Sequence, residues 1–153
     1  MVGGFVDIEA VKKNSVKMAK DRGLPCCEME TIYNSKPAQE LSVWAGSKNK
    51  DMDFRKAVFS ACYGEGRNIS DLAVLKAIAA SLQLDPAEAE TVLEKSMYTD
   101  VVDNDWSRKQ ELELVAAPTY FINNNRLVGC HPYEKMKDFL VKNGAQKRNQ
   151  YII

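Results

Sequence analysis

The sequence predicts an α+β fold that is predominantly helical. Apolar residues recur at helical spacing over most of the first 114 positions. One pair of β-rich runs follows Pro118, around an asparagine triplet. An amphipathic segment opening at Pro132 closes the chain. The plan is therefore six helices, one hairpin and one helix.

Each element has local reasons. Asp7 caps a first helix running to about Arg22, with Ile8, Val11, Met18 and Ala19 on one stripe and Gly23 as its stop. Pro25 biases Leu24 towards extended backbone, and residues 26–33 read as a connector. Ser35 caps a second helix holding Leu41 and Trp44 and ended by Gly46. A third, over 51–63, buries Phe54, Val58, Ala61 and Cys62. After a turn at 64–68, Ser70 caps a fourth helix whose face is Leu72, Leu75, Ala79 and Leu82.

The fifth helix has the clearest start. Asp85 supplies an acidic cap, Pro86 takes the first helical position, and Glu88 stands at the third. Ala89, Val92 and Leu93 form its inner face. A sixth helix over 99–114 presents Val102 and Trp106, and both tryptophans read as core. The runs 119–122 and 126–129 then make a hairpin around Asn123, Asn124 and Asn125, residues tolerant of positive φ. Pro132 opens the last helix, with Tyr133, Met136, Phe139 and Leu140 inside and Gly144 as its stop. A two-stranded hairpin is marginal in water, so it must dock on helices or find further strands elsewhere.

Composition excludes several functions. The 153 residues carry 21 Lys+Arg against 21 Asp+Glu, and this zero net charge argues against a nucleic-acid partner. No apolar run approaches the roughly 20 residues of a membrane helix, so no membrane association is expected. His131 is the one histidine, which disfavours a His-rich metal centre or a Ser-His-Asp triad. Cys26, Cys27, Cys62 and Cys130 form no C-x-x-C and have no zinc-ligand spacing. No metal and no cofactor is expected. With no signal-peptide pattern at the N-terminus, the expected location is cytoplasmic.

The order of features from 51 to 140 is similar to one known family. The run F-S-A-C-Y-G-E-G-R-N-I-S-D at 59–71 resembles the F-x-A-Y-F-x-E-G-R-D-I-S-D segment of the DsbA-like thioredoxin-fold oxidoreductases, in their FrnE and 2-hydroxychromene-2-carboxylate isomerase branch. Leu84-Asp85-Pro86 resembles the G-L-D opening that family's next helix, and the run from Ala116 to Ile122 its V-x-G-V-P-T-F-V-I. Leu127-Val128-Gly129 is similar to its L-V-S-G-A-Q, and Arg22-Gly23-Leu24-Pro25 with Asn34-Ser35 to its G-L-P-F…P-N-S. The likeness spans about residues 8–142.

The resemblance implies a partial thioredoxin-like fold, hairpin plus C-terminal helix, with a DsbA-type all-helical insertion. It divides the chain into a helix and connector at 1–33, the insertion at 34–98, the thioredoxin-like part at 99–144 and a polar tail at 145–153. The family's C-x-x-C, or a serine in its isomerase and transferase relatives, would precede Met1. An N-terminally truncated oxidoreductase without catalytic residues is thus expected, its hairpin partnered by absent strands. The resemblance also makes Pro118 cis and assigns substrate binding to Ala117, Pro118 and Thr119, whose backbone would pair with an extended substrate.

The remaining candidates have plainer readings beside the functional ones. Cys26 and Cys27 suggest redox chemistry, but adjacent cysteines bridge only through a strained ring, and two small residues on a connector is the simpler account. Cys62 reads as a core thiol. Cys130 follows the second strand as a candidate for oxidation or for a structural role. His131 reads as a helix-start neighbour, with pH sensing as the alternative. Gly64 and Gly66 do not form a phosphate loop, and Glu65 with Arg67 steadies the turn.

The function implied is DsbA-family thiol–disulfide exchange on a polypeptide or a small thiol or disulfide substrate, inactive in this chain alone. The alternatives are a binding module that homodimerises through the hairpin edge, or a glutathione-dependent isomerase or transferase of the same superfamily.

Overall fold

Helices precede a hairpin, and one further helix closes the fold, in a computed structural model that describes residues 8–28 and 30–146 (Ile8 by its backbone). The order is α1 (Ile8–Lys20), α2 (Lys36–Ser47), α3 (Asp51–Phe59), a π-helical turn (Ser60–Gly64), α4 (Leu72–Ser81), α5 (Pro86–Glu94), α6 (Thr99–Glu111), β1 (Thr119–Ile122), β2 (Asn125–Val128) and α7 (Tyr133–Lys142). The Asp7 cap and the terminal Tyr151-Ile152-Ile153 lie outside the described residues. Two units, Met1–Asn104 and Asp105–Ile153, meet in sequence within α6.

Helix starts follow side-chain acceptors, not always the expected ones. Asp85 caps α5 as anticipated, accepting from the Ala87 N–H at 2.8 Å with Pro86 at the first position. Ser70 does not cap α4. Asp71 takes the extended backbone a cap needs and accepts from Ala73 N–H at 2.8 Å, while the Ser70 N–H is drawn back to Asn68 Oδ1 at 2.9 Å. Ser35 likewise makes no side-chain cap for α2; the Lys36 N–H donates to Asn34 Oδ1 at 3.0 Å.

Helix ends move for similar reasons. Gly46 does not stop α2. The helix runs on to Ser47, and Asn49, at φ 59°, takes the left-handed position while Lys50 N–H returns to Ala45 O at 2.8 Å. The expected helix over 51–63 changes pitch after Phe59, where the last turn becomes π-helical. α6 stops at Glu111, three residues early, where Glu113 takes φ 50° and Leu114 N–H returns to Lys109 O.

The core lies in the first unit, where α2, α3, α4 and α5 pack on one another. Leu41, Trp44, Phe54, Leu75 and Val92 are its largest fully buried side chains. Polar groups taken inside are paired: Thr99 Oγ1 donates to Glu40 Oε2 at 3.0 Å, and Arg55 Nε to Ser42 Oγ at 2.9 Å. Trp106 departs from the core expectation, being 47% exposed on α6.

Glu88 does not close a capping box. It reaches back to α2, where Oε1 accepts from Trp44 Nε1 at 3.1 Å and pairs with Lys48 Nζ at 2.8 Å. The Lys48 ammonium, then the indole N–H, hold the Glu88 carboxyl below its ordinary range. A carboxyl depressed by folding contributes stability above its unfolded value, and loses it as pH falls through the folded value. Acid titration monitored by circular dichroism should therefore show a stability loss that begins as pH falls through the ordinary carboxylate range and is complete only below it. Glu88→Gln should flatten that loss and leave the neutral-pH spectrum unchanged.

In the second unit β1 and β2 pair antiparallel, Thr119 opposite Val128 and Ile122 opposite Asn125. The turn is two residues, Asn123 at φ 45° and Asn124 at φ 61°, so Asn125 begins β2 instead of completing the turn. Both positive φ values suit the primed turns whose twist matches a hairpin. Asn123 Nδ2 donates to Asn143 O at 2.7 Å, tying the turn to the end of α7. Arg126 stacks 5.9 Å over its cross-strand partner Phe121 and donates to Glu113 O at 3.2 Å. No described residue from Asp105 onward is buried. Tyr133, placed on the inner stripe of α7 by its spacing, is 74% exposed.

Candidate functional site

The second unit presents a backbone edge at the entry to β1. Ala116, Ala117 and Pro118 are exposed, Thr119 is half-buried, and the Ala117–Pro118 peptide is cis. Pro118 has no N–H to give, but its carbonyl accepts from Gly129 N–H at 2.7 Å, and the Thr119 hydroxyl donates to Ala116 O. These bonds anchor the segment to β2 through Gly129. The two-stranded sheet leaves β1 one edge without a strand among the described residues. That edge offers alternate N–H and C=O groups to an extended chain.

Cys130 is exposed, directly after the Gly129 that binds Pro118. His131 sits beside it, its Nε2 2.8 Å from Val128 O, so the ring is held against the hairpin's own backbone. The sequence-expected residues of this unit therefore cluster at one end of the hairpin.

The first unit holds Cys26 and Cys27 along an open groove of about 730 Å³. Val11, Ser15 and Val16 of α1 line one side; Cys26, Cys27 and Tyr63 line the other. The connector runs against the π-helical turn because Cys27 N–H donates to Tyr63 O at 2.8 Å. Gly66 permits the approach: it sits at φ 70°, and a Cβ there would lie 3.3 Å from Cys27 Sγ, whereas one on Gly64 would make ordinary contact with Pro25 Cγ at 3.5 Å. Arg67 pairs with Glu65 at 3.6 Å, as the turn reading anticipates.

Cys26 Sγ donates to Cys27 O and Cys27 Sγ to Cys62 O, each at 3.7 Å. Cys26 and Cys27 are half-buried and Cys62 is buried; all are free thiols. Burial, and after it the charge of neighbouring Cys27, pushes the Cys62 thiol up. The closeness of Cys62 and Tyr63 to Cys27 is not visible in the sequence, because 35 positions separate the two thiols and the π-helical turn shifts the helical phase between them. Among the described residues no group of three or more His, Cys, Asp or Glu is arranged to hold a metal ion, and no helix is long and apolar enough to cross a membrane.

A chain of helices, then an antiparallel hairpin whose first strand starts at a proline, then a closing helix, is a partial thioredoxin-like fold with a helical insertion. The solved structure of a 2-hydroxychromene-2-carboxylate isomerase shares it: TM-score 0.71 at 20% identity, over 90% of this chain and 64% of that one. The family model for the DSBA-like thioredoxin domain matches residues 6–141, and the chain belongs to that family. It is also 30% identical over 88 residues to the uncharacterised protein YwbO of Bacillus subtilis (strain 168), a match covering 57% of this chain and 44% of YwbO. The chain thus spans under half of the curated relative it matches and under two thirds of the isomerase structure.

Proposed function

We propose that the chain serves DsbA-family thiol–disulfide exchange by holding the substrate instead of exchanging electrons with it. The observation carrying this reading is the exposed 116–118 segment at the head of β1, in a chain of this family. An extended polypeptide, or a small disulfide, would lie along the backbone of Ala117, Pro118 and Thr119. Catalysed exchange in this family uses a thiolate stabilised at a helix N-terminus by a C-x-x-C, and residues 1–153 contain no such motif. The 153-residue polypeptide should therefore show no insulin reduction above the uncatalysed rate. Robust turnover would assign catalysis to Cys26, Cys27 or Cys130 and overturn the proposal. Coding sequence in frame before Met1 discriminates further: a strand followed by C-x-x-C supports it.

Two other readings each have an observation in their favour. The second unit exposes Val115, Phe121, Val128, Tyr133 and Val141, which suits a binding module that pairs with a second copy of the chain. Sedimentation at increasing concentration tests it, a monomer throughout excluding self-association. The isomerase neighbour suits the isomerase or transferase reading within the same superfamily, which would need an upstream serine in place of the first cysteine.

A further inference from the structure

We propose that Cys27 and Cys62 form a thiol-modification site that accepts a small disulfide and closes into an intramolecular bridge. The site is independent of the hairpin edge. Backbone placement carries it first: the Cys27 N–H bond to Tyr63 O at 2.8 Å and the Cys27 Sγ contact with Cys62 O at 3.7 Å set Cys27 against the stretch of backbone that carries Cys62. Access comes second. Cys27 lines the open groove, whereas Cys62 is buried, so a dissolved disulfide meets Cys27 before Cys62. Close approach comes third: a Cβ on Gly66 would stand 3.3 Å from Cys27 Sγ, so the glycine lets the Cys27 sulfur lie against the turn that carries Cys62.

The chemistry runs in two exchanges. The Cys27 thiolate attacks one sulfur of oxidised glutathione, a new S–S bond forms, the glutathione S–S bond breaks, and one glutathione thiolate leaves and is protonated. The Cys62 thiolate then attacks the Cys27 sulfur, forming Cys27–Cys62 and releasing the second glutathione. Two protein thiols are oxidised by two electrons and one glutathione disulfide is reduced to two thiols, so the step balances. The order follows from access, since Cys27 lines the groove and Cys62 is buried behind it. Cys26 lines the same groove, but its sulfur contacts the Cys27 carbonyl, and bridging adjacent residues needs a strained ring.

The folded 153-residue chain is incubated with oxidised glutathione, its remaining thiols are blocked, and it is digested without reduction for mass mapping. The expected product links the peptide containing Cys62 to the one containing Cys26 and Cys27, with the loss of two hydrogens. Cys26→Ser should retain the link and Cys27→Ser should lose it. Cys62→Ser should stop at a glutathionyl adduct on Cys27, with Cys62→Ala replacing it if circular dichroism shows a folding defect. A link that survives Cys27→Ser, that forms only after urea unfolding, or that never forms would overturn the proposal.

Discussion

Replacing Trp44 with alanine is expected to destabilise the first unit by about 3–5 kcal/mol, the usual loss for a fully buried large aromatic. The ring is 1% exposed on α2, which packs against both α3 and α5. Removing it leaves a void that the rest of its core cluster would have to collapse into, and close-packed interiors relax only in part. The indole N–H is lost as well, leaving Glu88 to Lys48 alone. Trp44→Phe separates the two effects, since it keeps most of the packing and removes the donor. It should lose markedly less stability than alanine. Urea unfolding followed by far-UV circular dichroism is the suitable measurement, because fluorescence in Trp44→Ala would report only the half-exposed Trp106. A loss below about 1 kcal/mol for the alanine variant would mean that this core is not what holds α2 to α5.

The Trp44 case shows which parts of the structure local sequence could convey. Its helical spacing with Leu41 placed it in the core, and Asp85-Pro86 announced α5, because periodicity and capping are decided within one or two turns. Trp106 satisfied the same spacing and is half-exposed, since spacing defines a face but not what packs on it. Glu88 matched a capping box in sequence, yet indole and ammonium donors on α2, 40 or more positions away in the chain, draw it off. At Ser70 and Ser35 the accepting side chain lies one residue away, the span over which neighbouring Asp and Asn side chains compete for the same N–H groups.

The candidate sites divide in the same way. Family motifs in their proper order led to Ala117, Pro118 and Thr119, and the DSBA-like family match covers those residues. The groove was not legible. Cys26 and Cys27 stand out as a pair, and Cys62 reads as a core thiol, which its burial bears out, but its contact with Cys27 is not announced. Only the π-helical turn, which no apolar period announces, brings its carbonyl under Cys27. The glycines at 64 and 66 were the one available signal. They read as a turn, whereas the structure uses Gly66 to let Cys27 approach.

Gly66→Val should therefore act on both the turn and the groove, with an expected cost of about 2–4 kcal/mol. Two contributions add. At φ 70° a β-branched residue adopts the left-handed region only with strain, and its Cβ would begin 3.3 Å from Cys27 Sγ before its methyl groups are placed. Cys27 has little freedom to retreat, because its own N–H is engaged by Tyr63 O and Gly66 N–H donates to the same Cys62 carbonyl that its sulfur contacts, at 3.2 Å. Gly66→Ala keeps most of the backbone strain and much less of the crowding, so about 1–2 kcal/mol is expected. Adding Cys27→Ala to each variant apportions the loss. Removing the sulfur should recover a sizeable share of the valine penalty and little of the alanine one, a coupling of about 0.5 kcal/mol or more in the valine cycle. Equal, additive losses in both cycles would show that the glycine answers only to its backbone angle. A coupling confined to valine would show that the Cys27 sulfur occupies the space Gly66 keeps open.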